Sequence, residues 1–295
     1  MIELRPVADE SDLHAWVEVT NAVVPNEPTT AERIGSTDEP DRLLLLAELD
    51  GRLAGCGIAK PSSLNGLAYL AARVLPDQRG RGVGSRLASA LADHARSLGL
   101  QRANVHVYAD EPHSIAFAEH LGLVEVDYQL EQVRMVGEEA APRPIEGIEL
   151  VALGARRLEL LRLAWPVALA GYQDMPLPGE ITVTLDEWLR EEATRPDGSF
   201  VAYEHGELIG YAGLIEHTDG PATAEHGLTV VRRDRRGRGI AHLMKRAQLH
   251  WASRNGVTRI VTWTQKGNEA MQAVNRSLGY SDASKVITYQ GPLKS

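Results

Sequence analysis

The sequence predicts a duplicated α/β protein, two tandem copies of one mixed-sheet domain. Three observations lead to it. A glycine–arginine loop occurs twice, as Arg79-Gly80-Arg81-Gly82-Val83-Gly84 and Arg236-Gly237-Arg238-Gly239-Ile240-Ala241, with Arg236 following Arg79 by 157 residues. A pair of apolar runs around a turn signal precedes each loop, and Gly51 and Gly55 are matched by Gly206 and Gly210 at an offset of 155. Each copy closes on a Leu-Gly pair, Leu121-Gly122 and Leu278-Gly279, again 157 apart. A single glycine motif recurs easily by chance; hairpin, loop, helix and closing Leu-Gly in one order do not.

Each element has a local reason. In the first half a strand spans 1–6, and a helix starts near Ser11, a candidate N-cap, and runs to Val23. A polar, proline-bearing stretch leads to Arg42, followed by two hairpin strands and a third strand at 67–75. After the loop a helix spans 84–98 and stops at Gly99, a C-cap signal. A strand at 102–108, a short helix at 114–120 and a strand at 124–136 complete the copy. The second half repeats this order: strand 148–152, helix 155–170, a loop from Gly171 to Gly179, helix 185–193, hairpin strands and strand 224–231. Helix 241–255, strand 259–264, helix 269–277 and strand 285–290 follow its glycine loop.

The length of 295 residues suits two domains of about 140 each. The expected boundaries are 1–137 and 147–295, joined by a linker at 138–146 that is rich in charge and proline. The lone Cys56 excludes an internal disulfide framework and a cysteine-based zinc site, and reads as a buried strand residue; no metal is expected. No apolar run approaches 18 residues and the first residues read as a strand, so a cytoplasmic protein is expected. A net charge of −9 argues against nucleic acid as the partner. The run from Arg232 to Arg238 is basic but local, which fits a small anion better than a polyanion.

A strand, a glycine turn and a helix N-terminus together form an anion site, because successive backbone N–H groups and the helix dipole converge there. Neither copy ends in the Gly-Lys-Ser/Thr of a nucleotide-triphosphate loop, and Gly80-x-Gly82-x-Gly84 lacks dinucleotide spacing. The pattern [Arg/Gln]-x-x-Gly-x-[Gly/Ala] between strand and helix, closed by the later Leu-Gly, resembles the GNAT superfamily of N-acetyltransferases. Both halves carry it, so the chain resembles a tandem GNAT protein, with the layout of the mycothiol synthases.

That resemblance implies two GNAT folds, acetyl-CoA as acyl donor and the primary amine of a small molecule or peptide as acceptor. It places the coenzyme pyrophosphate on Arg79, Gly80, Arg81, Gly82, Val83 and Gly84, and on Arg236, Gly237, Arg238, Gly239, Ile240 and Ala241. Glycines 82 and 84, and 237 and 239, are expected to allow close backbone approach. A backbone N–H of Val74 or Leu75, and of Val230 or Val231, faces the acetyl carbonyl. Glu225, eleven residues before Arg236, takes the place of the family's glutamate base; the matching first-half residue, counted back from Arg79, is Ala68. As a regular strand, Glu225, Gly227, Thr229 and Val231 share one face, and His226 is an alternative base on the other. The family's tyrosine acid is replaced by Ala118 and Asn275, so either Asn275 donates to the thioester sulfur or a bound water supplies the proton; Tyr211 and Tyr280 are more distant candidates that read first as core packing. Asn268 matches the asparagine that contacts the pantetheine arm, and the first half has Glu111 there. The second half is therefore expected to be catalytic. Its acceptor is expected against Tyr172, Asp174 and Met175, and the acidic chain favours a cationic one. Two other readings stand beside this: a non-catalytic acyl-CoA sensor, and a nucleic-acid module that uses the arginine run.

Overall fold

The computed structural model describes residues 1–25, 27–36, 39–64, 66–175 and 183–293. Along the first half run β1 (Ile2–Pro6), α1 (Glu10–Val23), α2 (Ala31–Gly35), β2 (Leu43–Leu49), β3 (Arg52–Pro61), β4 (Leu67–Val74), α3 (Val83–Ser97), β5 (Arg102–Tyr108), α4 (Pro112–His120) and β6 (Val124–Met135). The second half has β7 (Ile148–Ala152), α5 (Arg157–Gln173), α6 (Leu185–Glu191), β8 (Phe200–Glu204), β9 (Glu207–Glu216), β10 (Thr223–Val231), α7 (Ile240–Arg254), β11 (Arg259–Gln265), α8 (Glu269–Ser277) and β12 (Ser281–Pro292). The polar stretch before Arg42 contains a helix, α2, whose first turn is capped by the Thr30 hydroxyl accepting from the Arg33 N–H.

The chain forms two compact units, Met1–Asp127 with the segment from Val286, and Tyr128–Lys285. The strand order is β1-β2-β3-β4-β5-β12 in the first and β6-β11-β10-β9-β8-β7 in the second. These units differ from the linear cut at 137 and 147 in one respect. The end of β12 pairs antiparallel with β5, from Val286↔Tyr108 to Pro292↔Arg102, and the end of β6 pairs with β11, from Gln129↔Gln265 to Met135↔Arg259. Each unit's last strand thus comes from the other end of the repeat.

Helices cover both faces of each sheet. In the first unit Val83, Leu87, Leu91 and Ala95, at four-residue spacing on α3, pack with Leu45, Ala47 and Leu70. On the other face Trp16, Val17 and Val19 of α1 pack with Leu46, Cys56 and Ile58. In the second unit Ile240 and Met244 of α7 meet Ala202, Ile209 and Val231. Across its sheet Leu160, Leu161, Ala164 and Ala168 of α5 meet Tyr211, Leu228 and Val230. No helix among the described residues is long and apolar enough to cross a membrane.

Candidate active site

Both units open a cleft at the same place. β4 and β5 are parallel and paired only over Leu67–Tyr69 and Arg102–Asn104, although β4 continues to Val74 and β5 to Tyr108. β10 and β11 are paired only over Thr223–Glu225 and Arg259–Val261, and likewise continue beyond. Past these short ladders the strands diverge into a V.

The hydrogen bonds decide which N–H groups line it. The Leu75 N–H donates to Ala54 O at 2.9 Å, and the Arg232 N–H donates to Ile209 O at 2.9 Å. Both bonds run away from the V. Backbone polar groups alternate sides along a strand, so Val74 and Val231 present their N–H and C=O to it. The arginine that opens each loop agrees: Arg79 Nε donates to Val74 O at 3.3 Å and Arg236 Nε to Val231 O at 2.9 Å. Of the expected pairs, Val74 and Val231 remain. Leu75 is turned to β3, and Val230, one residue from Val231, is turned to β9.

The loops close the V. Gly80 and Gly82, and Gly237 and Gly239, have φ between +74° and +85°, where a side chain would strain the turn. These are the equivalent pairs. Gly84 does not belong with them, because it lies inside α3 without positive φ, and an added Cβ there would meet Phe117 at 3.3 Å. Gly82 and Gly239 are N-caps with no side-chain cap bond, so the first N–H groups of α3 and α7 are left for a ligand. Nothing lies within 4 Å of a Cβ built at Gly80 or Gly237. Open N–H groups and an open cradle fit a pyrophosphate.

The units differ in the strand beside the V. β3 and β4 pair without interruption. β9 and β10 shift register between His226↔Leu214 and Thr229↔Ala212, so Gly227 and Leu228 both stand opposite Gly213. This is a β-bulge, one extra residue in β10. It changes two expectations. Ladder partners match Tyr69, paired with Lys60 and Asn104, to Glu225, paired with Ile215 and Val261, so the first-unit counterpart of Glu225 is Tyr69 and not Ala68. The bulge also breaks alternation: Leu228 and Val230 pack on the α5 side and Val231 on the α7 side. Glu225 and Gly227 therefore do not share a face with Thr229 and Val231.

Beneath the bulge lies a group the sequence reading missed. Glu192, only 8% exposed, accepts at Oε1 from the Leu228 N–H at 3.2 Å and from Tyr211 Oη at 3.1 Å. Burial pushes its carboxyl up to about 7, with Glu225 adding to the rise. The only local signal was Gly213 and Gly227 inside strands, which marks a close approach without naming its partner.

Other expected residues fall elsewhere. His226 is buried against Tyr280, Nε2 to Oη 2.6 Å, and burial holds its pKa well below the usual range; it is a core histidine and not an alternative base. Asn275 is 0% exposed and its Nδ2 donates to Gln132 Oε1 at 2.8 Å, which ties α8 to β6 instead of offering a donor to a sulfur. Asn268 and Glu111 occupy equivalent N-caps of α8 and α4, neither making a side-chain cap bond. Tyr172 and Met175 pack against the cluster around Trp188. Pro176 to Gly179 of the expected acceptor loop lie outside the described residues.

A family model described as the acetyltransferase (GNAT) family matches residues 11–123 and again 159–280. The chain belongs to the GNAT family. A mycothiol acetyltransferase of Nocardia farcinica is 29% identical over 272 residues, covering 89% of this chain and 87% of that one. Another, of Rhodococcus jostii, is 24% identical and covers 95% and 93%. Among solved structures, a GCN5-related N-acetyltransferase of Sphaerobacter thermophilus superposes with TM-score 0.79 at 18% identity, covering 100% of this chain and 96% of its own. A tandem GNAT protein of clavulanic acid biosynthesis gives 0.75 at 21% identity, covering 100% and 99%. The GNAT family takes its acetyl group from acetyl-CoA, and this chain is an acetyl-CoA-dependent N-acetyltransferase in tandem form.

In this GNAT chain the basic loop of the second unit is neutralised. Arg232 pairs with Glu207 and Asp234, Arg233 and Arg236 with Asp174, and Arg235 and Arg238 with Glu204. A run so matched by carboxylates is a poor polyanion surface. Asp174, expected at the acceptor, instead holds loop arginines: Arg233 Nε lies 2.9 Å from both of its oxygens, and these bonds lower its carboxyl to about 2. A pyrophosphate must compete with it for Arg236. Asp174→Asn should therefore tighten acetyl-CoA binding roughly two- to fivefold, the scale of an exposed ion pair. Calorimetry checks this, and weaker binding would mean that Asp174 orients Arg236 for the cofactor.

Proposed function

We propose that the second unit transfers acetyl from acetyl-CoA to the primary amine of a small molecule or peptide, and that the first unit contributes a cofactor site or scaffold without chemistry. The observation that carries this is the pairing of Glu225 with the bulge. The second unit has a carboxylate on the strand flanking the V, while the first has Tyr69 and an unbroken ladder. Arg236 to Ala241 with the N-terminus of α7 would hold the coenzyme phosphates, and Asn268 at the N-cap of α8 would meet the pantetheine arm. Acetyl-CoA, when bound, supplies an activated thioester. The Val231 N–H is turned to receive negative charge on the acetyl oxygen, and Glu225 accepts the proton that the amine loses. The matching loop in the first unit, Arg79 to Gly84, would take the same phosphates, which makes cofactor binding without turnover the reading for that half.

The acceptor class rests on the relatives. Two are named for mycothiol, and a structural neighbour is described as a glucosamine N-acetyltransferase region. Amino sugars and amines conjugated to sugars head the class, and polyamines and peptide N-termini follow. The test is thiol release from acetyl-CoA with glucosamine, spermidine and a short peptide. Turnover with one of these supports the reading. Acetyl-CoA binding without turnover of any of them favours a sensor.

A further inference from the structure

We propose that Glu192 is a positioning residue: it pins the β10 bulge at Gly227–Leu228 and so keeps Glu225 on the α5 face while the Val231 N–H faces the V. The proposal rests on the second unit being the catalytic one.

A bulge leaves one residue out of the ladder, and its N–H needs another partner. Here that N–H is Leu228's, and the partner is Glu192 Oε1 at 3.2 Å. The same oxygen receives Tyr211 Oη from β9, at 3.1 Å, so one carboxylate ties both strands across the irregularity. The fit admits only glycine on either side. A Cβ at Gly213 or at Gly227 would overlap Glu192 Oε1.

The clasp is itself held. Arg157 Nε donates to Glu192 O at 3.1 Å and to Ala193 O at 3.0 Å. Ala193 is fully buried with φ +53°, a left-handed conformation that a non-glycine residue keeps only where its surroundings impose it.

The first unit supplies the control. At the hairpin offset of 155, Tyr211 corresponds to Cys56 and Gly213 to Ile58. On the β4 side Ile58 stands opposite Ala71 only, in a ladder without a shift. Among the described residues, the bulge and both glycine clearances are present together in one copy, and an unshifted ladder with Ile58 and Ala71 at those places stands in the other.

Without the pin, the Leu228 N–H is buried and unpaired, and the extra residue relieves this by moving along β10. A one-residue slip exchanges faces for every side chain between the old position and the new, which separates Glu225 from its working face or turns the Val231 N–H away.

The test uses full-length protein carrying Gly82→Glu, so that only the second cofactor loop is intact, with acetyl-CoA labelled with ¹³C at the thioester carbonyl. Infrared difference spectra read the bound carbonyl stretch, and calorimetry reads affinity. In the Gly82→Glu parent the stretch should fall on binding, because an N–H donates to that oxygen. Glu192→Ala and Glu192→Asp should return it to the free value while affinity stays within about threefold, because one neutral hydrogen bond is lost and the phosphate-binding loop is untouched. Glu192→Gln keeps an acceptor oxygen in place and should retain the shift, and Gly227→Ala should behave as Glu192→Ala. If Glu192→Ala does not fold, the Asp and Gln variants decide. A shift that survives in Glu192→Asp overturns the proposal, as does its loss in Glu192→Gln, which would assign the group a role through its charge. No acetyl-CoA binding to the parent would instead remove the catalytic second unit, and the proposal with it.

Discussion

Gly239→Glu will abolish acetyl-CoA binding by the second unit, lowering affinity at least about 100-fold. Two effects act in the same direction. Gly239 caps α7 at φ +78°, where any L side chain strains the turn by about 1–2 kcal/mol, so the loop relaxes away from the shape that gathers its N–H groups. The new carboxylate also stands at the positive end of the helix, where it occupies the N–H groups and repels a pyrophosphate. Space is not the obstacle: a Cβ at Gly239 would meet only Ile145, at 3.7 Å. The fold should therefore survive and the loss be specific. Gly82→Glu makes the same change in the first unit, at φ +85°. Calorimetry with wild type and both variants counts the sites. Two sites, each removed by its own substitution, mean that both copies hold the cofactor. A single site removed by Gly239→Glu confines it to the second unit. Heat unchanged by Gly239→Glu but lost with Gly82→Glu would reverse the assignment of the units.

The repeats and loops were legible because glycine at positive φ is a constraint that few other residues satisfy. The two-residue change of offset was visible as well, but not where it falls. From Pro61 to Leu67 and from Glu216 to Thr223 the chain spends one residue more in the second turn, and β10 absorbs the other as its bulge. Counting back from Arg79 therefore reached Ala68, when the ladders place Tyr69 opposite Glu225 in the comparison. Glu192 was not legible for a related reason: its partners, Tyr211 and Leu228, lie 19 and 36 residues away, and nothing in the stretch after α6 signals a buried carboxylate. The exchange of last strands was not legible either. β6 and β12 both follow a Leu-Gly turn, and local pattern does not say which of two similar edges a strand will join.

Glu225→Gln should lower kcat by about 10²–10⁴-fold at neutral pH, the usual worth of a general base, while acetyl-CoA affinity stays within about threefold. The substitution keeps size and hydrogen-bonding capacity and removes only the ability to take a proton, so a large effect cannot be ascribed to packing. It also separates two roles that carboxylates play here. Glu192→Gln preserves an acceptor oxygen for Leu228 and Tyr211 and should cost little; Glu225→Gln should cost most of the rate. The pH profile sharpens the contrast. An acceptor amine is protonated at neutral pH, and with Glu225 replaced only its deprotonated fraction can attack. Activity of the variant should then climb with pH toward the amine's own pKa and narrow the gap to wild type there. Initial rates from pH 6 to 10, with whichever amine the panel identifies, read both features. Equal kcat in wild type and Glu225→Gln at neutral pH would show that the proton leaves by another route. A gap that stays constant across the range would mean that Glu225 orients the acceptor and does not deprotonate it.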